Sequence, residues 1–147
     1  MTDNRIWEVW GRTNALYTAW CASHGVNVYR QLVLYAINAH APTTQREIAD
    51  CAGLSRQTVS TVMRALKDEG YVSLCEGETD RREKSVHFTP EGQAYVDEIL
   101  APLYAIEARV FEMMGAERMK RLFDSIDLFN LIFEKEMETQ NHASGKK

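Results

Sequence analysis

Residues 45–66 read QREIADCAGLSRQTVSTVMRAL, and no other stretch restricts the fold as strongly. Ala49 is small, so a second helix can cross close over the first. Gly53, four residues on, permits the left-handed backbone of a tight turn. Val59, six residues after Gly53, gives the second helix an apolar residue that locks onto the first. Ile48, Ala52, Leu54 and Val62 fill the remaining inward positions. Thr44 and Glu47 have capping-box spacing and start a short helix over about 45–52. Ser55 caps the second helix, and Gly70 stops it. The spacing predicts a helix-turn-helix.

With those side chains inward, Arg56, Gln57, Thr58, Ser60 and Thr61 fall on the outer part of the second helix, and Arg64 one turn on. No acid stands among them, although the chain carries a net charge of −4. These are the side chains that reach base edges in a major groove: arginine to guanine, glutamine to adenine, hydroxyls to either, a threonine methyl to thymine. An acid on such a face would meet phosphate on both walls of the groove. Asp68 and Glu69 lie at the far end, pointing away. The competing reading is an ordinary helical hairpin with a solvated polar face. Acids outnumber bases across residues 43–92, so any DNA contact rests on where the bases are placed.

The rest of the chain is mainly helical. Residues 4–22 carry a helical pattern, and Asn27 caps a second helix over 28–40. Beyond Gly70, YVSLC and KSVHFT read as two β-strands joined by the polar turn EGETDRRE, which contains Gly77. Arginines Arg81 and Arg82 and Lys84 stand in or beside this turn. An arginine there can enter a narrow minor groove, with Asp80 orienting it through a charge-assisted bond. The alternative is a solvated charged turn. Thr89 and Pro90 start a long helix to about 114, which Pro102 should kink and Gly115 should stop. A last helix is expected over 116–138. The fold class is mainly α with one β-hairpin wing (α+β). Four segments follow: 1–40, N-terminal helices; 41–92, the winged helix-turn-helix; 93–138, C-terminal helices; and a disordered tail, 139–147.

The stretch from Glu47 to Gly92 resembles the winged helix-turn-helix core of the MarR family of bacterial transcription regulators. The resemblance rests on Asp80-x-Arg82, on Val86-x-Phe88-Thr89-x-x-Gly92, and on the helix-turn-helix spacing. The flanking helices agree in number and order. The resemblance implies a homodimer built from first and last helices. It implies DNA contact through Arg56, Gln57, Thr58, Ser60, Thr61, Arg64 and Arg82, with Asp80 as orienting partner. It also implies a ligand or oxidant that resets the spacing of the two heads.

The dimer is also expected from the residues alone. Met119, Leu122, Ile126, Phe129 and Phe133 stand at 3-4-3-4 spacing, a two-heptad seam. Leu128, Leu131 and Ile132 widen it, and Trp7, Trp10 and Trp20 add aromatic area on the first helix. A two-fold dimer suits an inverted repeat in double-stranded DNA. The aromatic set Tyr17, Trp20, His24, Tyr29, Tyr35 and Tyr95 suggests a pocket for a small aromatic or lipophilic acid, and plain core is the alternative. The expected role is a repressor released by such a ligand.

Other classes find less support. Cys21, Cys51 and Cys75 leave a redox-sensing regulator as an alternative, with His24 one turn from Cys21. Peroxide-sensing members of the resembled family keep the reactive cysteine nearer the start of the first helix. Cys21, His24 and His40 lack metal-site spacing, so no metal and no cofactor are expected. No phosphate loop, nucleophile elbow or H-E-x-x-H points to an enzyme. A protein-binding winged-helix adaptor is the remaining alternative. With no secretory signal pattern and no long apolar run, a cytoplasmic protein without a membrane partner is expected.

Overall fold

The computed structural model describes residues 3–76 and 82–144. The elements run α1 (Arg5–Ser23), α2 (Val28–His40), β1 (Thr43–Thr44), α3 (Gln45–Ala52), α4 (Arg56–Asp68), β2 (Val72–Glu76), β3 (Lys84–Phe88), α5 (Pro90–Met114) and α6 (Ala116–Ser144). The chain divides into two compact units, Met1–Leu103 and Tyr104–Lys147. None of the described helices is long and apolar enough to cross a membrane.

In the first unit, α2, α3 and α4 pack on one another, and the sheet packs on α2, α3 and α4. The core is apolar and closed: Val33, Leu34 and Ile37 from α2, Ile48 and Ala49 from α3, Val59, Met63 and Leu66 from α4, Val96 and Leu100 from α5. Burying each large side chain contributes about 1.5–3 kcal/mol before entropy is counted. Met63 and Leu66 complete the inward face of α4, and Ala52, Leu54 and Val62 are half-buried at its margin.

Local signals set the helix starts. The Asn27 side chain accepts from the backbone N–H of Tyr29 and Arg30 at 3.0 and 3.2 Å. The Thr44 hydroxyl accepts from Glu47 N–H at 3.2 Å, and the Glu47 carboxylate accepts from Thr44 N–H at 2.8 Å. Both halves of the capping box are therefore made. Gly53 turns the chain with φ 63°.

Two features depart from expectation. The sheet has three antiparallel strands, in the order β1-β3-β2, rather than a lone hairpin. Thr43 pairs with Val86 and Thr44 with Ser85. Two residues are too few to display a period-two pattern, so β1 leaves no trace in the sequence. Next, α6 continues through Ser144, beyond Glu138. No glycine or proline interrupts 116–144, and the Thr139 hydroxyl folds back to the Lys135 carbonyl at 2.9 Å. Helix α5 runs from Pro90 to Met114 with Pro102 inside it, where the missing N–H leaves one carbonyl of the preceding turn without its helical donor.

Candidate nucleic-acid interface

Helix α4 is presented by its own caps and its inner face. The Ser55 hydroxyl accepts from Thr58 N–H at 3.1 Å. Val59 is fully buried against the neighbouring helices. Arg56, Gln57, Ser60, Thr61 and Arg64 are exposed. Among the described residues, neither Arg56 nor Arg64 is held in an ion pair, so both guanidinium groups are available. Thr58 differs from the expected outer position. It is half-buried, and its hydroxyl lies 2.8 Å from the Ser55 hydroxyl, because the third residue of a capped helix turns toward its cap. Thr61 donates to the Gln57 carbonyl at 3.0 Å.

Glu69, just past the end of α4, is held by a contact that no spacing in the sequence reveals. Arg30 of α2 donates to Glu69 through Nη1 at 3.0 Å and also through Nη2. Its Nε donates to the Tyr95 hydroxyl of α5 at 2.9 Å. The Tyr71 and Tyr95 rings stack at 4.2 Å, and the guanidinium carbon lies 5.2 Å from the Tyr95 centroid. The Glu69 carboxylate holds the Arg30 pKa above its ordinary value, against the opposing effect of burial. The cluster joins α2, α4 and α5 and takes the negative charge of Glu69 to the rear of the helix.

The wing follows. Lys84 of β3 is exposed and stands opposite Glu76 of β2. Arg82 is exposed at the entry to β3. Gly77, Asp80 and Arg81 lie outside the described residues. Thr89 and Gly92 serve as a clamp. The Thr89 hydroxyl donates to the Gly70 carbonyl at 2.6 Å and accepts from Gly92 N–H at 3.0 Å. A Cβ at Gly92 would stand 1.8 Å from the Tyr71 carbonyl oxygen, so only glycine lets α5 cross there.

The aromatic residues assigned to a ligand pocket are distributed along the first unit. Trp20 is buried and stacks on His24 at 4.4 Å. His24 Nδ1 lies 2.9 Å from the Trp20 carbonyl and 2.9 Å from the Ser23 hydroxyl, turned to these partners. Tyr95 is engaged with Arg30 and Tyr71. Tyr17 and Tyr29 are exposed, and Tyr35 is half-buried on α2.

Cys21 is buried, with its sulfur 4.0 Å from Gln31 Oε1, and burial pushes its thiol pKa up. Both features run against a reactive thiolate. Cys51 and Cys75 are exposed. Among the described residues, no group of three His, Cys, Asp or Glu side chains is placed to hold a metal.

In the second unit, Leu122, Phe129 and Phe133 of the seam are exposed, and Ile126 is half-buried. Met119 is only 7% exposed, so its own chain already covers this seam position. Trp20 is likewise withdrawn from the aromatic surface of α1, whereas Trp7 is 76% exposed.

A sequence model of the MarR family matches residues 24–83, which span α2 through the start of the wing. A MarR family regulator from Neisseria meningitidis superposes with a TM-score of 0.78 at 28% identity, over 94% of this chain and 99% of that one. The fold is shared with Staphylococcus aureus MarR, described in complex with salicylate and kanamycin, at 19% identity and a TM-score of 0.65 over 90% of each chain. The Bacillus subtilis HTH-type transcriptional regulator YwoH is 33% identical over 75 residues, 51% of this chain and 54% of that protein. The match thus spans about half the length of that curated relative. The matched helices, turn and strands are those that carry the exposed face of α4 and the Thr89–Gly92 clamp continues from them. The chain is thus similar to MarR family regulators, in sequence over residues 24–83 and in fold over nearly its whole length.

Proposed function

We propose that this protein is a sequence-specific, double-stranded-DNA-binding transcription regulator, acting as a homodimeric repressor that a small aromatic or lipophilic ligand releases. The observation that carries this reading is the exposed, acid-free face of α4, with Arg56, Gln57, Ser60, Thr61 and Arg64 displayed on a helix capped at its start. Arg56 and Gln57 stand at the N-terminal end, where a recognition helix meets base edges. Arg64, Arg82 and Lys84 supply positive charge for phosphate, and Arg81 and Asp80 extend that set at the wing. Thr58 acts through the cap that fixes the helix start.

The exposed apolar residues of α1 and α6 support self-association, since a chain of this size rarely leaves so many aromatic side chains in water. The ligand reading draws on Trp20. Its buried Nε1 has no hydrogen-bond acceptor among the described residues, and a carboxylate or phenol would satisfy it. The S. aureus protein of the same fold is described with salicylate, an aromatic acid.

Duplex binding over a range of salt tests the proposal. The parent is expected to bind at low salt, with log K falling linearly against log salt. Arg82→Ala is expected to weaken binding and flatten that slope while leaving the thermal midpoint unchanged. A folded parent that binds no duplex at low salt would contradict DNA binding and favour a protein-binding winged helix.

A further inference from the structure

The start of α2 lies beside the exposed face of α4. An open hollow of about 490 Å³ is lined by Asn27 and Tyr29 on one side and by Gln57, Thr58, Thr61 and Val62 on the other. Two of these residues, Gln57 and Thr61, belong to the face proposed to enter the major groove. A helix seated in that groove has a phosphate ridge along each flank. The hollow occupies one flank.

Among the described residues, none that lines the hollow is acidic. Tyr29 is 52% exposed, and among the described residues no group bonds its hydroxyl. The backbone that carries it is held, because Asn27 accepts from the N–H groups of Tyr29 and Arg30 and Arg30 is anchored to Glu69 and Tyr95. A phenol hydroxyl carried on a capped helix start, next to a helix proposed to read the groove, has the chemistry to donate to a phosphate oxygen.

We infer that Tyr29 is a DNA-backbone contact, which seats a phosphate in the hollow between α2 and α4 and so sets the register of the recognition helix. This rests on the DNA-binding reading above. The contact is neutral and positional: it adds affinity on any sequence and leaves base choice to Arg56 and Gln57.

The test compares the parent, Tyr29→Phe and Gln57→Ala on two duplexes, one enriched from a random pool and one of unrelated sequence, across a salt series. Tyr29→Phe keeps the ring and removes only the hydroxyl. It is expected to weaken binding to both duplexes by a similar factor, on the order of tenfold. The ratio between duplexes and the salt slope stay as in the parent, since a neutral donor displaces no counterion. Gln57→Ala is expected to lower the ratio instead. A Tyr29→Phe protein that binds both duplexes as tightly as the parent overturns the contact and leaves DNA binding standing. A loss confined to the enriched duplex also overturns it, in favour of base reading by Tyr29. A parent that binds no duplex at low salt overturns the DNA reading and the contact with it.

Discussion

Gly92 shows how one residue fixes the position of a helix. The α5 backbone passes so close to Tyr71 that a methyl group would collide with its carbonyl. Gly92→Ala is therefore expected to lose roughly 1–3 kcal/mol through overpacking, read as a lower urea midpoint with an unchanged slope. An equal midpoint would mean that α5 can shift without cost. Ser55→Ala removes the hydroxyl that caps α4 and is expected to lose about 1 kcal/mol, measured by the same unfolding curve. On DNA, Arg56→Ala or Gln57→Ala is expected to cost about 1–3 kcal/mol and to relax sequence choice, and competition binding against altered duplexes would check both. At this scale, the sequence revealed what is local. The caps at Asn27, Thr44 and Ser55 join residues two or three apart, and their chemistry is written in adjacent letters. Arg30 and Glu69 are 39 positions apart, and no spacing rule links them. Thr58 leaves the outer face for a related reason: helical phase puts it near that face, while its bond to Ser55 turns it inward.

Among the elements, α3 offers a pH-sensitive test. The Glu47 carboxyl is held below its ordinary value of 4.5, first by the Thr44 N–H and then by the Thr43 hydroxyl. A depressed folded pKa gives stability that is present above about pH 4.5 and is lost as pH falls through the folded value. Glu47→Gln keeps an acceptor at the same place but cannot titrate. Its stability is expected to fall less between pH 5 and pH 3 than that of the parent, as followed by circular dichroism. Parallel losses would assign the acid sensitivity elsewhere. The helices were legible because each has a cap, a periodic apolar face and a stop. Strand β1 was not, because its two residues are chosen by pairing with Val86 and Ser85 rather than by their own pattern. The end of α6 was not legible from its polar composition, because residues 139–144 contain no helix breaker and the helix runs on through them.

At the scale of the molecule, paired reading of DNA requires a second copy. Leu122, Phe129, Leu131, Ile132 and Phe133 expose apolar area on α6, as Trp7, Val9 and Leu16 do on α1. Phe129 and Phe133 stack at 5.8 Å, so a charge between them would disrupt both. Phe129→Glu is expected to shift the protein toward monomer in sedimentation and to weaken binding to an inverted repeat much more than to a single half-site. An unchanged sedimentation coefficient would place the interface elsewhere. The 3-4-3-4 seam was legible as a stripe, but covering of Met119 and Trp20 by their own chain was not, since periodicity does not say which neighbour buries a face. A paired reader of double-stranded DNA, in a chain with a net charge of −4, must work through local placement of its basic residues. Selection of bound fragments from random-sequence duplex at low salt, read by sequencing, tests it most directly. The expected result is an enriched inverted repeat whose half-sites are centred about ten base pairs apart, one turn of the double helix. A folded dimer that enriches no sequence would contradict it.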